Sequence, residues 1–288
     1  MRIEGGNLKG IRYSLPVASA QVKSCVLLAG LYGDTATAVE AVVPTRDHTE
    51  IALQEFGATL RKEGAWIEID PDPVLRGRHL RIPGDLSGAA FFLVAAALAP
   101  HSNLHLPGVG LNKSRRELVN YLQEAEMDLV ITNETVEAGE ARGDLEVRYS
   151  PQLLKRALPE IKGDQVAALI DEIPVLAVLG SQVSGGLGIS DSGELRIKES
   201  DRISAIAQNL KAMGVDVEEK PDGLRIPGGQ KLQGADIQTY GDHRIAMAFA
   251  VAGLSAQGET RIHDAECADV SFPGFWNTLH AVTKRVKV

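Results

Sequence analysis

A repeated pair of helical segments limits what this chain can fold into more than any other feature. The first segment of each pair is apolar, and its four copies start 69, 86 and 71 residues apart, at Pro16, Asp85, Asp171 and Asp242. The second segment follows a hydroxyl residue, and these residues recur at the same three intervals, at Thr45, Ser114, Ser200 and Ser271. Because two independent landmarks share one spacing, the sequence predicts a repeat architecture.

The two segments of each pair differ in how their apolar residues are distributed. Residues 91–98 and 247–254 are apolar or small around the whole helix, so we expect the first helices to be enclosed. The second helices are apolar on one face, as at Ile203, Ile206 and Leu210, and can lie half exposed. Short strand patterns follow at residues 65–69, 129–132 and 215–218. The chain is therefore predicted to fold as repeated βαβαββ units forming inside-out α/β (α+β) domains, with helices inside and sheets outside.

The repeat also predicts the domain organisation. We assign residues 1–84 to a partial first domain and residues 85–288 to a second domain of three repeat units. Strands are predicted at residues 1–6 and 11–15. The pentapeptide LRIPG occurs at both 80–84 and 224–228, where it would close a unit. The chain is thus expected to open on the closing strand of a unit whose beginning is missing.

Composition and charge narrow the class of partner. The 38 acidic and 30 basic side chains among 288 residues give a formal charge of −8, which argues against nucleic acid or an anionic membrane surface. Cys25 and Cys267 form neither a CxxC pair nor a metal-ligand spacing, and a reducing cytoplasm fits them best. The apolar runs are shorter than the ~20 residues that cross a bilayer. Without a Walker loop, GxGxxG or HExxH motif, neither a cofactor nor a metal is predicted.

Polar residues stand where the apolar helices begin. A helix start carries unpaired N–H groups and the positive end of the helix dipole, so several converging starts would bind an anion. The residues at these starts are Ser19, Ala20, Gln21, Asp171, Asp242, His243 and Arg244. Cationic side chains that would add to such a site are Lys23, Arg46, Lys198, Arg202 and Arg244. We expect a small polyanion held between two repeat domains.

The densest charge cluster precedes the helix that begins near Ile203. Lys198, Glu199 and Arg202 surround Ser200, which we predict to cap that helix. Opposed charges at a helix start suit a site that binds phosphate and transfers a proton. The residues alone leave structural alternatives open: Ser19 as a helix cap, Arg46 in a polar loop, Asp171 complementing a helix dipole, His243 as a core histidine, and the charge cluster as a solvated helix start.

Four motifs occur together in this chain. They are LPVASAQVKS at residues 15–24, TRDHTE at 45–50, RIKESDR at 196–202 and GDHR at 241–244. In these motifs, and over essentially its whole length, the chain resembles the 5-enolpyruvylshikimate-3-phosphate synthase family, the enolpyruvyl transferases of the shikimate pathway. The resemblance implies transfer of the enolpyruvyl group of phosphoenolpyruvate to the 5-hydroxyl of shikimate 3-phosphate, with release of phosphate, in the biosynthesis of aromatic amino acids.

The resemblance implies how the first of these two small-molecule substrates is held. Ser19, Ala20 and Gln21 would hold shikimate 3-phosphate, and Gln21 would also lie near phosphoenolpyruvate. Arg46 would contact the phosphate side of shikimate 3-phosphate. Asp171 would bind the shikimate hydroxyls and act as the base on the attacking one.

The resemblance also implies the groups that handle phosphoenolpyruvate, without a cofactor. Lys198 would bridge the two substrates, and Glu199 would protonate the methylene carbon. Arg202 and Arg244 would grip the carboxylate and phosphate, and His243 would support the proton transfers. Such an addition needs an acid at carbon, a base at the hydroxyl and cations that hold the shifting charge.

Two departures from the family pattern accompany the resemblance. The stretch before Phe272 and Pro273 lacks a lysine that some members carry, and the family's N-terminal part, with a Lys-Ser pair and an Asn-Ala-Gly-Thr loop, is absent. We therefore expect weak or no turnover from this chain alone. One other interpretation is a non-catalytic binding protein on the same scaffold, working through self-association or with a separate N-terminal piece. A UDP-N-acetylglucosamine enolpyruvyl transferase is a further alternative, which the shikimate-type motifs disfavour.

Overall fold

The chain divides into two compact units. The computed structural model describes residue 2 and residues 4–283. Unit 1 comprises Met1–Pro83, Gly110–Arg115 and Glu134–Arg142. Unit 2 comprises Gly84–Val109, Arg116–Asn133 and Gly143–Val288. Two short segments from beyond residue 85 thus belong to unit 1, and the division into domains at residues 84 and 85 stays a prediction.

Unit 1 is built on a four-stranded sheet. Its elements in chain order are β1 (Arg12–Ser14), α1 (Ala20–Gly30), β2 (Thr37–Glu40), α2 (His48–Glu55), β3 (Leu60–Glu63) and β4 (Trp66–Ile69). The strand order is β1-β2-β4-β3, with β1 parallel to β2 and the other neighbours antiparallel. Its core includes Leu27 of α1, Val39 of β2, Leu53 of α2 and Ile69 of β4. Burial of these side chains packs the two helices with the sheet.

Helix α1 is less enclosed than the sequence predicts. Its buried residues are Lys23, Leu27 and Gly30. The helix packs against β2 and β4, so closely that a Cβ on Gly30 would lie 2.8 Å from Thr37 Cβ and 2.9 Å from Ile69 Cγ2. The opposite side carries Leu28, which is 47% exposed. Because the sheet covers one side of the helix, the prediction of an enclosed helix is wrong for α1.

The two segments that return to unit 1 are tied to the start of α2 by polar contacts. The Asn112 amide nitrogen donates hydrogen bonds to Asp47 Oδ1 and to Glu140 Oε2, both at 2.9 Å. Nδ1 of His48 lies 2.6 Å from Glu140 Oε1. The backbone N–H of Leu111 also donates to the carbonyl oxygen of residue 141 at 2.7 Å. Unit 1 therefore depends on residues from three separate stretches of the chain.

Unit 2 contains three repeats of a similar order of elements. The first has α3 (Leu86–Leu98), β5 (Asn103–Gly110), α4 (Glu117–Glu124), β6 (Leu129–Glu137) and β7 (Glu140–Arg148), whose facing ends lie in the segment assigned to unit 1. A 3-10 turn (Leu153–Lys155) and α5 (Asp164–Leu169) connect the first repeat to the second. The second repeat has α6 (Ile173–Gln182), β8 (Leu187–Ile189), a 3-10 turn (Gly193–Ile197), α7 (Arg202–Ala212), β9 (Glu218–Lys220) and β10 (Gly223–Ile226). The third has β11 (Asp236–Ile237), α8 (His243–Ser255), β12 (Arg261–Ile262), a 3-10 turn (Ala265–Val270) and α9 (Phe275–Thr283).

The first long helix of each repeat lies inside unit 2. Helices α3, α6 and α8 contact one another and are buried along most of their length. Each repeat supplies a sheet, ordered β5-β7-β6, β8-β10-β9 and β11-β12. Because these helices are apolar around their circumference, only enclosure removes every face from water. The predicted inside-out α/β fold is confirmed. None of the described helices is both long enough and apolar enough to span a membrane.

Two stretches that the sequence marks as strands differ from the prediction. Residues 4–6 have no regular structure, and Met1 and Ile3, which complete the predicted strand at 1–6, lie outside the described residues. Residues 80–83 are irregular, although the same pentapeptide contributes to β10, which pairs with both β8 and β9. Identical local sequence gives two structures because pairing with neighbouring strands decides whether a strand forms.

Candidate active site

Three helix starts meet in unit 2. Asp171 precedes α6, Arg202 opens α7 and Arg244 lies in the first turn of α8. Arg202 Nη1 lies 3.9 Å from Asp171 Oδ1, and Arg244 Nη2 lies 3.5 Å from Asp171 Oδ2. Arg244 Nη1 also donates a hydrogen bond to the Asp171 carbonyl oxygen at 3.0 Å. The carboxylate of Asp171 is thus near two guanidinium groups that come from different helices.

The fully buried carboxylate of Asp242 organises this meeting point. Its Oδ2 accepts hydrogen bonds from Arg202 Nε at 2.8 Å and from the Ser200 hydroxyl at 3.1 Å. Its Oδ1 accepts one from the backbone N–H of Arg244 at 2.9 Å and so caps α8. Burial raises the pKa of Asp242, but the hydrogen bonds and charge of Arg202 outweigh burial and hold the pKa below its ordinary value of 3.8. Asp242 is therefore charged at neutral pH and holds Arg202, which is 1% exposed.

Glu199 and Lys198, in the loop before α7, have different partners. Glu199 Oε2 accepts a hydrogen bond from Arg202 Nη2 at 2.7 Å, while the Glu199 side chain stays 51% exposed. Lys198 forms an ion pair with Glu194 in the preceding 3-10 turn. The contacts therefore link Glu199 to Arg202, whereas Lys198 is paired with Glu194, four residues earlier in the chain.

The cap of α7 differs from the prediction. Asp201 accepts a hydrogen bond from the backbone N–H of Ser204 at 3.0 Å, whereas Ser200 points its hydroxyl to Asp242. Arg196 holds the same loop by donating to the Pro221 carbonyl oxygen at 2.7 Å and to Asp201 at 2.8 Å. The prediction that Ser200 caps this helix is wrong, because the Asp201 carboxylate next to it accepts the capping bond while the Ser200 hydroxyl donates to Asp242.

His243 opens α8 and is 8% exposed. Burial lowers the pKa of this imidazole below its ordinary value of 6.5. The charge of Arg244 lowers it further, against the opposite effects of Asp242 and Glu199. The ring is therefore neutral at pH 7, and a neutral imidazole can accept a proton.

The remaining predicted site residues lie in unit 1. Ser19 caps α1 by accepting a hydrogen bond from the backbone N–H of Val22 at 3.3 Å, and Ala20 and Gln21 are the first residues of that helix. Gln21 and Arg46 are exposed, with Arg46 in the loop before α2. The start of α1 thus offers N–H groups and exposed polar side chains that suit an anion.

Lys23 is buried and cannot add positive charge to an exposed anion site, so that expectation is wrong. Its side chain is 2% exposed, and its ammonium nitrogen lies 2.5 Å from Glu50 Oε1. The same nitrogen donates a hydrogen bond to the Arg46 carbonyl oxygen at 2.8 Å. Its charge is therefore compensated inside unit 1.

The sequence predicts no substrate-binding role for two residues that shape these sites, Asp242 and Glu50. Asp242 is recognisable from sequence only as a helix cap, because its bond to Arg202 joins positions far apart in the chain. Glu50 belongs to the TRDHTE motif without a distinguishing pattern of its own. A lysine on the apolar side of a predicted helix is the signal that points to a buried acidic partner, since an unpaired buried charge is costly.

The arrangement in unit 2 suits acid–base chemistry beside a bound anion. Asp171 and Glu199 supply carboxylates that can exchange protons, and Arg202 and Arg244 supply guanidinium groups at helix N-termini. The positive ends of α6, α7 and α8 add to the attraction for negative charge. Within residues 4–283, no group of three His, Cys, Asp or Glu side chains is placed to hold a metal ion.

The architecture belongs to a known structural class. A 2.37 Å structure of EPSP synthase from Acinetobacter baumannii matches with a TM-score of 0.88 and 40% identity, covering 96% of this chain and 63% of that one. A second EPSP synthase structure from the same organism matches with a TM-score of 0.88 and 38% identity, covering 99% of this chain and 64% of that one. The fold is therefore that of an enolpyruvyl transferase.

Sequence comparison narrows the class to one family. The family described as EPSP synthase (3-phosphoshikimate 1-carboxyvinyltransferase) matches residues 1–279. The 3-phosphoshikimate 1-carboxyvinyltransferase of Solibacter usitatus is 50% identical, over 99% of this chain and 66% of its own length. The enzyme of the same name from Desulforudis audaxviator is 47% identical, over 97% of this chain and 64% of its own length. The chain belongs to the EPSP synthase family. It spans about two thirds of the length of these relatives, and the family match does not confirm the predicted absence of an N-terminal segment.

Proposed function

We propose that this chain takes part in transferring the enolpyruvyl group of phosphoenolpyruvate to the 5-hydroxyl of shikimate 3-phosphate, with release of phosphate. The observation that carries the proposal is the cluster in unit 2, where Asp171 lies near Arg202 and Arg244 and where Glu199 binds Arg202. The names of the curated relatives support the same reaction, because they are 3-phosphoshikimate 1-carboxyvinyltransferases.

The reaction needs an acid at carbon and a base at oxygen. In the addition step, the methylene carbon of phosphoenolpyruvate gains a proton while the shikimate hydroxyl oxygen bonds to the neighbouring carbon and loses its proton. In the elimination step, the new methyl group loses a proton and the bond from carbon to phosphate oxygen breaks, which restores the double bond. We assign the proton at carbon to Glu199 and the hydroxyl proton to Asp171.

Cationic and neutral side chains near these acids complete the proposed phosphoenolpyruvate site. Arg244 would bind the carboxylate or phosphate directly, and Arg202, which is held by Asp242, would do so once the exposed Glu199 side chain turns away from it, because guanidinium groups pair well with both. Lys198 would leave Glu194 to bridge the two substrates. His243, whose pKa is lowered by burial, would accept a proton during the transfers.

The proposed shikimate 3-phosphate contacts lie at the start of α1 and in the loop before α2. Ser19, Ala20 and Gln21 would offer backbone N–H groups and side-chain donors at a helix N-terminus. Arg46 would bind the phosphate as a charged, exposed donor. We also propose self-association of the chain, or its association with a separate N-terminal piece.

A phosphate-release assay tests this function. Phosphoenolpyruvate and shikimate 3-phosphate are supplied to the chain alone, and to the chain mixed with the part of the Solibacter usitatus relative that it does not match. In the assembly that turns over, Glu199→Gln should lower the rate by about 10²- to 10⁴-fold, the range for loss of a general acid. Glu218→Gln is the matched control, since Glu218 is an exposed carboxylate on β9 of the same unit.

The assay separates the proposal from its rivals. Equal rates for wild type and Glu199→Gln would contradict the role of Glu199. Binding of shikimate 3-phosphate in calorimetry without turnover in any assembly would favour a non-catalytic binding protein. Phosphate release with UDP-N-acetylglucosamine in place of shikimate 3-phosphate would favour the other transferase. Sedimentation of the active sample determines whether a second copy is required.

A further inference from the structure

The buried ion pair between Lys23 and Glu50 takes no direct part in the proposed chemistry, yet it joins two segments assigned to shikimate 3-phosphate. Lys23 lies in the first turns of α1, after Ser19, and Glu50 lies in the first turn of α2, after Arg46. We infer that Lys23 and Glu50 are positioning residues that set the Arg46 loop against the start of α1 and so determine affinity for the phosphate of shikimate 3-phosphate. This inference rests on the proposed function.

The contacts of the Lys23 ammonium group make a direct link to Arg46. Lys23 Nζ lies 2.5 Å from Glu50 Oε1 and donates a hydrogen bond to the Arg46 carbonyl oxygen at 2.8 Å. The Lys23 and Glu50 side chains are 2% and 12% exposed, so little water competes for these partners. The backbone of the loop is therefore fixed at the residue whose side chain is assigned to the phosphate.

Neighbouring contacts lock the register of the two segments. The hydroxyls of Ser24 and Thr49 lie 2.6 Å apart, so consecutive residues of α1 are paired with consecutive residues of α2. The backbone N–H of Lys23 donates to the Ser19 carbonyl oxygen at 3.1 Å, which connects the pair to the cap of α1. A shift of either helix would break both the ion pair and the hydroxyl contact.

Stability alone does not account for charges at this position. Two buried charges lose hydration, and an apolar pair of similar volume is often as stable or more stable. An apolar side chain, however, cannot donate a hydrogen bond to the Arg46 carbonyl oxygen. The specific effect of Lys23 is therefore the orientation of the loop, and orientation before binding reduces the entropy that a ligand must offset.

Calorimetric titration of shikimate 3-phosphate tests the inference. The sample is the full chain, alone or in the assembly that binds shikimate 3-phosphate in calorimetry. The variants are Lys23→Met with Glu50→Met, Arg46→Ala, and all three together. The paired methionines remove both charges while keeping volume, and should weaken binding by up to about tenfold, the cost of ordering one contact side chain on binding. Adding Arg46→Ala to them should then cost much less than Arg46→Ala costs alone, because the pair acts through Arg46.

Two controls separate positioning from a general loss of stability. Arg61→Met removes an exposed ion-pairing side chain of the same unit, and should leave the dissociation constant unchanged. If the paired methionine variant does not fold, as judged by its melting curve, Lys23→Arg replaces it. Arginine keeps the charge beside Glu50, but its larger, planar guanidinium group does not reproduce the position of the ammonium nitrogen 2.8 Å from the Arg46 carbonyl oxygen, so the loop should shift. It should therefore weaken binding while the chain stays folded.

The outcomes distinguish the inference from the function on which it rests. A folded pair variant, or folded Lys23→Arg, that binds as tightly as wild type while Arg46→Ala weakens binding would overturn only the positioning role. Fully additive losses from the pair and from Arg46→Ala would overturn it as well. Unchanged binding by Arg46→Ala, or no binding by any assembly, would overturn the assignment of Arg46 in the proposed function and the inference with it.

Discussion

Replacing Asp242 by alanine should destabilise unit 2 more than any other single loss of a helix cap described above. The change leaves the Arg202 guanidinium buried without its closest carboxylate, and removing one partner of a buried pair costs about 3–5 kcal/mol. It also removes the cap of α8, worth about 1 kcal/mol. The two losses pass through one carboxylate and Glu199 still pairs with Arg202, so they should not add fully. We expect a total loss of about 3–5 kcal/mol.

Urea unfolding followed by circular dichroism measures this loss. Asp201→Ala is the matched control, because Asp201 caps α7 by the same kind of bond but is exposed. Loss of the cap and of the exposed ion pair with Arg196 should together cost about 1–2 kcal/mol. Asp242→Asn should fall between the two, since an amide keeps one acceptor for the Arg244 N–H but loses the charge that compensates Arg202. A loss for Asp242→Ala no greater than that for Asp201→Ala would refute the view that Asp242 holds a buried cation.

Two further predictions concern unit 2. Burial lowers the pKa of His243, so as pH falls below 6.5 the unfolded chain binds a proton at this residue before the folded chain does. The contribution of His243 to stability is therefore present above pH 6.5 and is lost as pH falls through the pKa of the folded state. His243→Gln should therefore reduce the fall in unfolding free energy as pH drops below 6.5. An unchanged slope would contradict the lowered pKa of His243. Phe275 is fully buried among aromatic rings 5.2–5.9 Å away, so Phe275→Ala should cost about 3–5 kcal/mol in the same urea assay. Val270→Ala, at an 81% exposed position, should cost far less, and similar losses would contradict the packing argument.

The long apolar helices are the part of the fold that sequence predicts best. The apolar segment predicted to start at Asp85 forms α3 (Leu86–Leu98), and the one predicted to start at Asp242 forms α8 (His243–Ser255). Their composition makes them helical and buried wherever they pack, so no knowledge of neighbours is needed. The prediction fails at α1, because the sheet and α2 contact parts of this helix and leave other apolar residues, such as Leu28, exposed.

Contacts between distant residues are what the sequence does not encode locally. The motif residues mark where charges lie, but the choice of Asp242 as the partner of Arg202, or of Glu50 as the partner of Lys23, depends on how helices pack. The LRIPG pentapeptide is strand in one place and irregular in the other for the same reason. The catalytic and binding roles of the individual residues stay predictions, because they depend on how the substrates bind to the folded chain.

The path of the chain through unit 1 bears on how the protein is made. Asn112 and Glu140 bind Asp47 and His48, so the start of α2 gains these partners only after residue 140 has left the ribosome. Until then the polar side chains of Asp47 and His48 are hydrated, while α3 and the strands of the first repeat are still being synthesised. A fragment that ends at residue 83 and is expressed separately would never form these contacts.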